Sequence, residues 1–173
     1  MVQEPMWNPA PSDCEFTEEA DLRRRKWLCH NAIQNRLVKA ITLHLGEVAV
    51  NCDIPGTDNQ PRPDVVVTDE AQKKIILVDV TVSFENGTPA FREARARKLE
   101  KYVPLADTLR AKGYEVQMDV LIVGALGAWD PCNERVLWSC GIGQRYARFM
   151  WRLIVSDTIR WSKDIYIEHV TGH

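Results

Sequence analysis

No stretch of this chain has the roughly 18 to 20 consecutive apolar residues that a membrane-crossing helix requires, so no membrane partner is expected. There is also no C-x-x-C pair. The five cysteines, Cys14, Cys29, Cys52, Cys132 and Cys140, are odd in number, which argues against both a disulfide framework and a self-contained zinc site. Most of them read as buried thiols of a reducing compartment, because the first residues lack the basic start and apolar stretch of a secretory signal. A net charge of −2 argues against a protein that coats nucleic acid indiscriminately.

Charge is nevertheless segregated. Residues 1–21 carry no base, whereas residues 22–46 carry no acid but include Arg23, Arg24, Arg25, Lys26, Arg36 and Lys39. Such a segment either makes a basic face on a near-neutral protein or is simply a solvated helix. Residues 1–17, with Pro5, Pro9 and Pro11, read as an irregular arm or linker remnant, and residues 18–173 as one domain.

Within that domain the hydrophobic period sets the elements. Ile33, Leu37, Ile41 and Leu45 recur every four residues, predicting an amphipathic helix that ends at Gly46, with His30 on or beside its buried face. Strands are expected over 48–54, 62–67 and 75–82, joined by a Pro-Gly-rich connection and a polar turn. Asn86-Gly87 turns the chain, Thr88 is placed to cap and Pro89 to begin a helix running through Tyr102; Pro104 is expected to kink or restart it and Gly113 to stop it. A strand over 114–123 and a final helix over about 144–163 complete an α/β fold. Its mixed β-sheet is sandwiched by helices, and the long β-helix-β return implies a parallel crossover.

Asp79 interrupts the apolar run of residues 75–82, where an uncompensated charge costs several kcal/mol. Strand alternation puts it on one face with Ile75, Leu77 and Thr81. Asp64 begins the preceding strand, and the short turn between makes the two strands antiparallel neighbours, so two carboxylates can converge. Hard cations such as Mg2+ favour one or two carboxylates, retained waters and a substrate phosphate, the requirements of a phosphodiester cut. A structural ion pair is the alternative.

Arg62-Pro63-Asp64, followed after fourteen residues by Asp79-Val80-Thr81, resembles the signature of the restriction-like endonuclease of R2-like non-LTR retrotransposons, a branch of the PD-(D/E)xK nucleases. The lysine usual two residues after the second acid is Thr81 here; in the retrotransposon branch it moves to the following helix in a K-x-x-x-Y pattern, which Lys98 and Tyr102 match. Cys29-His30-Asn31 is similar to that family's upstream R-H-N element, with cysteine in place of arginine, and residues 124–131 and 156–162 are similar to its C-terminal end. The resemblance implies a restriction-endonuclease-like α-β-β-β-α-β core with an added C-terminal helix. It also implies a nuclear enzyme that cuts double-stranded DNA with Mg2+, or with Mn2+ as substitute, and lies downstream of a reverse transcriptase region whose synthesis the nick primes.

On that reading Asp64 and Asp79 hold the metal, Lys98 stabilises charge or positions water, Tyr102 steadies the lysine, and His30 orients the phosphate or relays a proton. Tyr102 has a packing alternative beside Leu99 and Leu105, as His30 has a structural one. Arg23, Arg24, Arg25, Lys26, Arg92, Arg95 and Lys101 are the candidate contacts to the DNA backbone. Arg145, Arg148, Arg152, Arg160 and Lys163, with Trp151 and Trp161, make the final helix basic and aromatic, a pattern suited to phosphate contacts or stacking on a distorted strand. The rival readings are a catalytically silent DNA-binding domain and a nuclease of the same superfamily acting in restriction or repair.

Overall fold

The computed structural model describes residues 18–41, 45–83 and 87–171; the expected N-terminal arm, residues 1–17, lies outside them. Eight elements follow one another: α1 (Glu18–Ala40), β1 (Glu47–Val50), β2 (Val65–Asp69), β3 (Lys74–Ser83), α2 (Thr88–Ala111), β4 (Glu115–Gly124), α3 (Asn133–Ser139) and α4 (Gln144–Thr171). The strands form one sheet in the order β1-β2-β3-β4, antiparallel through β3 and parallel between β3 and β4. The expected mixed sheet with a parallel return across α2 is therefore present, in the order α-β-β-β-α-β.

Strand alternation divides the core into two faces. Val65, Val67, Ile76, Val78, Val80, Leu121 and Val123 pack on Ile33 and Leu37 of α1 and on Met150 and Ile154 of α4. On the other face Val66, Ile75 and Leu77 meet Tyr102, Leu105 and Leu109 of α2, and Val120 and Ile122 meet Phe91 and Ala94. Asp79 belongs by parity to this second face, beneath α2.

Several expected boundaries are corrected. α1 stops at Ala40, short of Leu45. Gly46, at φ 124°, then passes so near β2 that an added Cβ would stand 2.0 Å from the Thr68 carbonyl oxygen, so glycine is required there. β1 ends at Val50, four residues before the expected end, because Asn51 takes a left-handed φ of 51°. Pro104 does not restart the helix: α2 runs through it without a break, with both Pro104 and Glu100, the residue whose carbonyl loses its helical donor, exposed. Gly87, not Thr88, is the N-cap of that helix, and no side chain caps it. The short helix α3 was not foreseen, and α4 continues well past Lys163. Of the four described cysteines only Cys29 and Cys140 are buried.

Candidate active site

The register between β2 and β3 pairs Val65 with Val78, and one further step sets Asp64 opposite Asp79. The ladder ends there. Asp64 turns its carboxylate onto β3, where Oδ2 accepts the Val80 N–H at 2.6 Å. The peptide that follows Asp79 is thus held by the side chain of Asp64, which couples the two acids through one amide.

Asp79 is only 3% exposed, and its charge is matched from two elements. Tyr102 Oη donates to Oδ1 at 2.5 Å. Lys98 Nζ stands 2.8 Å from Oδ2, which also accepts from Thr81 Oγ1 at 3.2 Å. Helical spacing accounts for the pairing: Ala94, Lys98 and Tyr102 form one row of α2, and buried Ala94 lets that row lie close on the sheet. Tyr102 Oη is also 3.0 Å from the Arg62 carbonyl oxygen, fixing the start of the Arg62-Pro63-Asp64 segment to α2. Lys101 is exposed, with its ammonium 5.0 Å from the Tyr102 ring centroid.

His30 reaches the site from α1. Its Nε2 lies 3.0 Å from Asp64 Oδ2 and its Nδ1 3.3 Å from Asn31 Oδ1, so the doubly protonated ring can donate to both oxygens. Burial pushes the imidazole below its ordinary value, but the hydrogen bond and charge of Asp64, helped by Asn31 and the charge of Asp79, outweigh burial and leave it raised. For Tyr102, burial, the Asp79 hydrogen bond and the charges of both carboxylates all push the phenol up, so it remains a protonated donor. Each acid thus acts electrostatically on the other's partner, which makes one coupled cluster of the four side chains.

Two residues that sequence reasoning missed complete the support. Gln34, 2% exposed, donates from Nε2 to the Asp64 carbonyl at 2.7 Å and to Asn51 Oδ1 at 3.1 Å. The Asn51 N–H donates to the same carbonyl at 3.1 Å. The available signal was position: Gln34 falls one helical turn after His30, in the acid-free part of α1.

Among the described residues no group of three or more His, Cys, Asp or Glu side chains is arranged to hold a metal ion. The donor chemistry still fits a magnesium-like cation, which is commonly held by one or two carboxylates with water and phosphate filling its shell. One oxygen of Asp64 takes no hydrogen bond from a described residue, and the Asp79 oxygen facing Lys98 already accommodates a cation. The first is open among the described residues; at the second a metal would have to share the oxygen with Lys98 and Thr81 or displace them.

The candidate DNA contacts divide. Arg24, Lys26, Arg92 and Lys101 are exposed, and the side chains of Arg23 and Arg25 lie outside those described. Arg95 is a correction: it is buried, donating from one terminal nitrogen to the Val120 carbonyl at 2.6 Å and from the other to Asp130 Oδ2 at 2.7 Å. It joins α2 to the segment after β4 and does not face a ligand.

Neither a scan against protein-family models nor a search of curated proteins gives a match. Among solved structures the chain is similar to an N-terminal domain of a reptarenavirus L protein, with a TM-score of 0.42 and 16% identity, over 83% of this chain and 78% of that one.

Proposed function

We propose that this chain is a metal-dependent DNA endonuclease domain of the restriction-like type found in R2-like retrotransposons. The observation that carries the reading is the convergence on one buried aspartate, Asp79, of Lys98 and Tyr102 from a single row of α2, beside an Asp64 latched to the same strand. A strand acid served by a helix lysine is the arrangement that the Arg62-Pro63-Asp64, Asp79 and Lys98-x-x-x-Tyr102 spacing implies.

Asp64 and Asp79 would hold Mg2+, or Mn2+ in its place. Such an ion supplies phosphate polarisation and a water of lowered pKa. Lys98, 34% exposed at its side chain, has access both to the carboxylate and to a phosphate at the surface, where it would stabilise developing negative charge. Tyr102 keeps the Asp79 carboxylate oriented, and His30, whose pKa Asp64 raises, keeps Asp64 oriented and would add positive charge beside the phosphate when protonated. The substrate would be double-stranded DNA. In a longer parent the nick would prime an upstream reverse transcriptase in the nucleus.

The rival, a catalytically silent DNA-binding domain, draws on a specific observation: both oxygens of Asp79 are already satisfied by protein donors. Nicking of supercoiled plasmid with and without magnesium separates the two. Metal-dependent nicking supports the nuclease; DNA binding without nicking supports the rival.

A further inference from the structure

The final helix carries a surface that the carboxylate cluster does not use. Trp138 of α3 and Tyr146, Phe149 and Trp151 of α4 are all exposed, although large aromatic side chains are ordinarily withdrawn from water. They are not scattered. Trp138, Trp151 and Trp129 line one shallow depression together with Arg148, and the Trp129 and Trp151 ring centroids are 6.2 Å apart. Tyr146 and Phe149 form a second pair at 6.3 Å.

Helix geometry explains why the depression stays open. Ala147, Met150, Ile154 and Thr158 take the buried stripe of α4, so the residues between them are directed outward. Arg145, Arg148 and Arg152, three and four residues apart, run along the exposed side next to Phe149. Among the described residues none of the three has an ion-pair partner and Glu134 is the only acid lining the depression. Unneutralised guanidinium groups interleaved with flat, exposed rings complement a polyanion whose bases are free to stack. A paired duplex, with its base faces covered, cannot use the rings in this way.

We propose that this Trp138–Trp151–Arg148 surface binds single-stranded nucleic acid, stacking unpaired bases on the tryptophans and holding the backbone phosphates on the arginines. This binding needs neither a metal nor the nuclease reading, and it stands or falls separately from cleavage.

The test is fluorescence anisotropy of a dye-labelled oligothymidylate about 15 nucleotides long with the full chain in EDTA, beside a duplex of equal length. The expected result is salt-sensitive binding of the single strand. Trp138→Ala and Trp151→Ala should each weaken it about tenfold, with Trp138→Phe recovering most of the loss and duplex binding unchanged. Arg148→Glu should also weaken it. Absence of single-strand binding by the folded wild-type chain overturns the proposal, as does equal binding by the alanine variants or a parallel loss for duplex and single strand. Sedimentation supplies a further contrary outcome: a wild-type chain that self-associates, a Trp138→Ala chain that does not, and no difference in oligonucleotide affinity would make the surface a contact between copies.

Discussion

Lys98 Nζ lies 2.8 Å from Asp79 Oδ2, and the two partners are unequally buried, the ammonium side chain 34% exposed and the carboxylate 3%. An isolated carboxylate at that depth would cost several kcal/mol, so a helix cation meets the need created when Asp79 was set into an apolar strand. Thr81, two residues along the same strand, supplies a hydroxyl in place of the more familiar lysine.

From this pairing, Lys98→Ala should reduce magnesium-dependent nicking by about 100-fold or more, whereas Lys101→Ala should alter it only severalfold. Initial rates of supercoiled plasmid conversion measure both. A larger loss with Lys101→Ala would place the functional ammonium on the other row of α2.

Tyr102→Phe removes the hydroxyl that donates to Asp79 Oδ1 and stands 3.0 Å from the Arg62 carbonyl oxygen. In EDTA it should lower unfolding stability by about 1 to 3 kcal/mol, because a buried acceptor is left short of a partner. Urea unfolding followed by circular dichroism reads the change. An unchanged midpoint would mean that water reaches Asp79 freely when the hydroxyl is gone.

Much of this cluster was legible in the chain because it rests on short-range periodicity. A period of two put Asp79 on the face of Ile75 and Leu77, a spacing of four put Lys98 and Tyr102 on one row, and His30 sat one turn before the Ile33–Leu37 stripe. What escaped depends on partners distant in sequence. Gln34 meets Asp64 across 30 residues and Arg95 meets Asp130 across 35, so neither contact has a local signature. Arg95 in particular stands among Arg92, Arg97 and Lys98, where a charged helix surface is the natural expectation. Pro104 offered a kink or a restart, and the continuous α2 excludes the restart, a choice that periodicity alone left unsettled.

The Arg95–Asp130 pair should behave as a structural element. Asp130→Ala leaves a buried guanidinium uncompensated and should destabilise the chain by about 3 to 5 kcal/mol, without changing the salt dependence of DNA binding. Burial pushes the Asp130 carboxyl up, but hydrogen bonds from Arg95 and the Cys132 amide, with the Arg95 charge, outweigh it and hold it below the ordinary value of 3.8. Its contribution is therefore present above pH 3.8 and is lost as pH falls through the lower folded value. The stability difference between wild type and Asp130→Asn should accordingly shrink on acidification in that window. A difference independent of acid would contradict the assignment.

Exposed Arg24, Lys26, Arg92 and Lys101 are the remaining candidate phosphate contacts. Duplex binding should weaken steeply with salt, and replacing Arg92 or Lys101 by alanine should each reduce the slope of log K against log salt by about 1. Titrations at several salt concentrations check this, and an affinity indifferent to ionic strength would remove the phosphate-binding face.

Conversion of supercoiled plasmid to nicked circles in magnesium, with wild type beside Asp64→Asn and Asp79→Asn, is the decisive measurement. Both variants should retain the fold by circular dichroism, since Tyr102 can still donate to an asparagine oxygen and the partly exposed Lys98 can turn to water. Nicking by wild type, abolished by EDTA and by either substitution, is the predicted result. A folded wild-type chain that leaves the plasmid intact in both magnesium and manganese, or an Asp79→Asn chain that nicks at the wild-type rate, would contradict it.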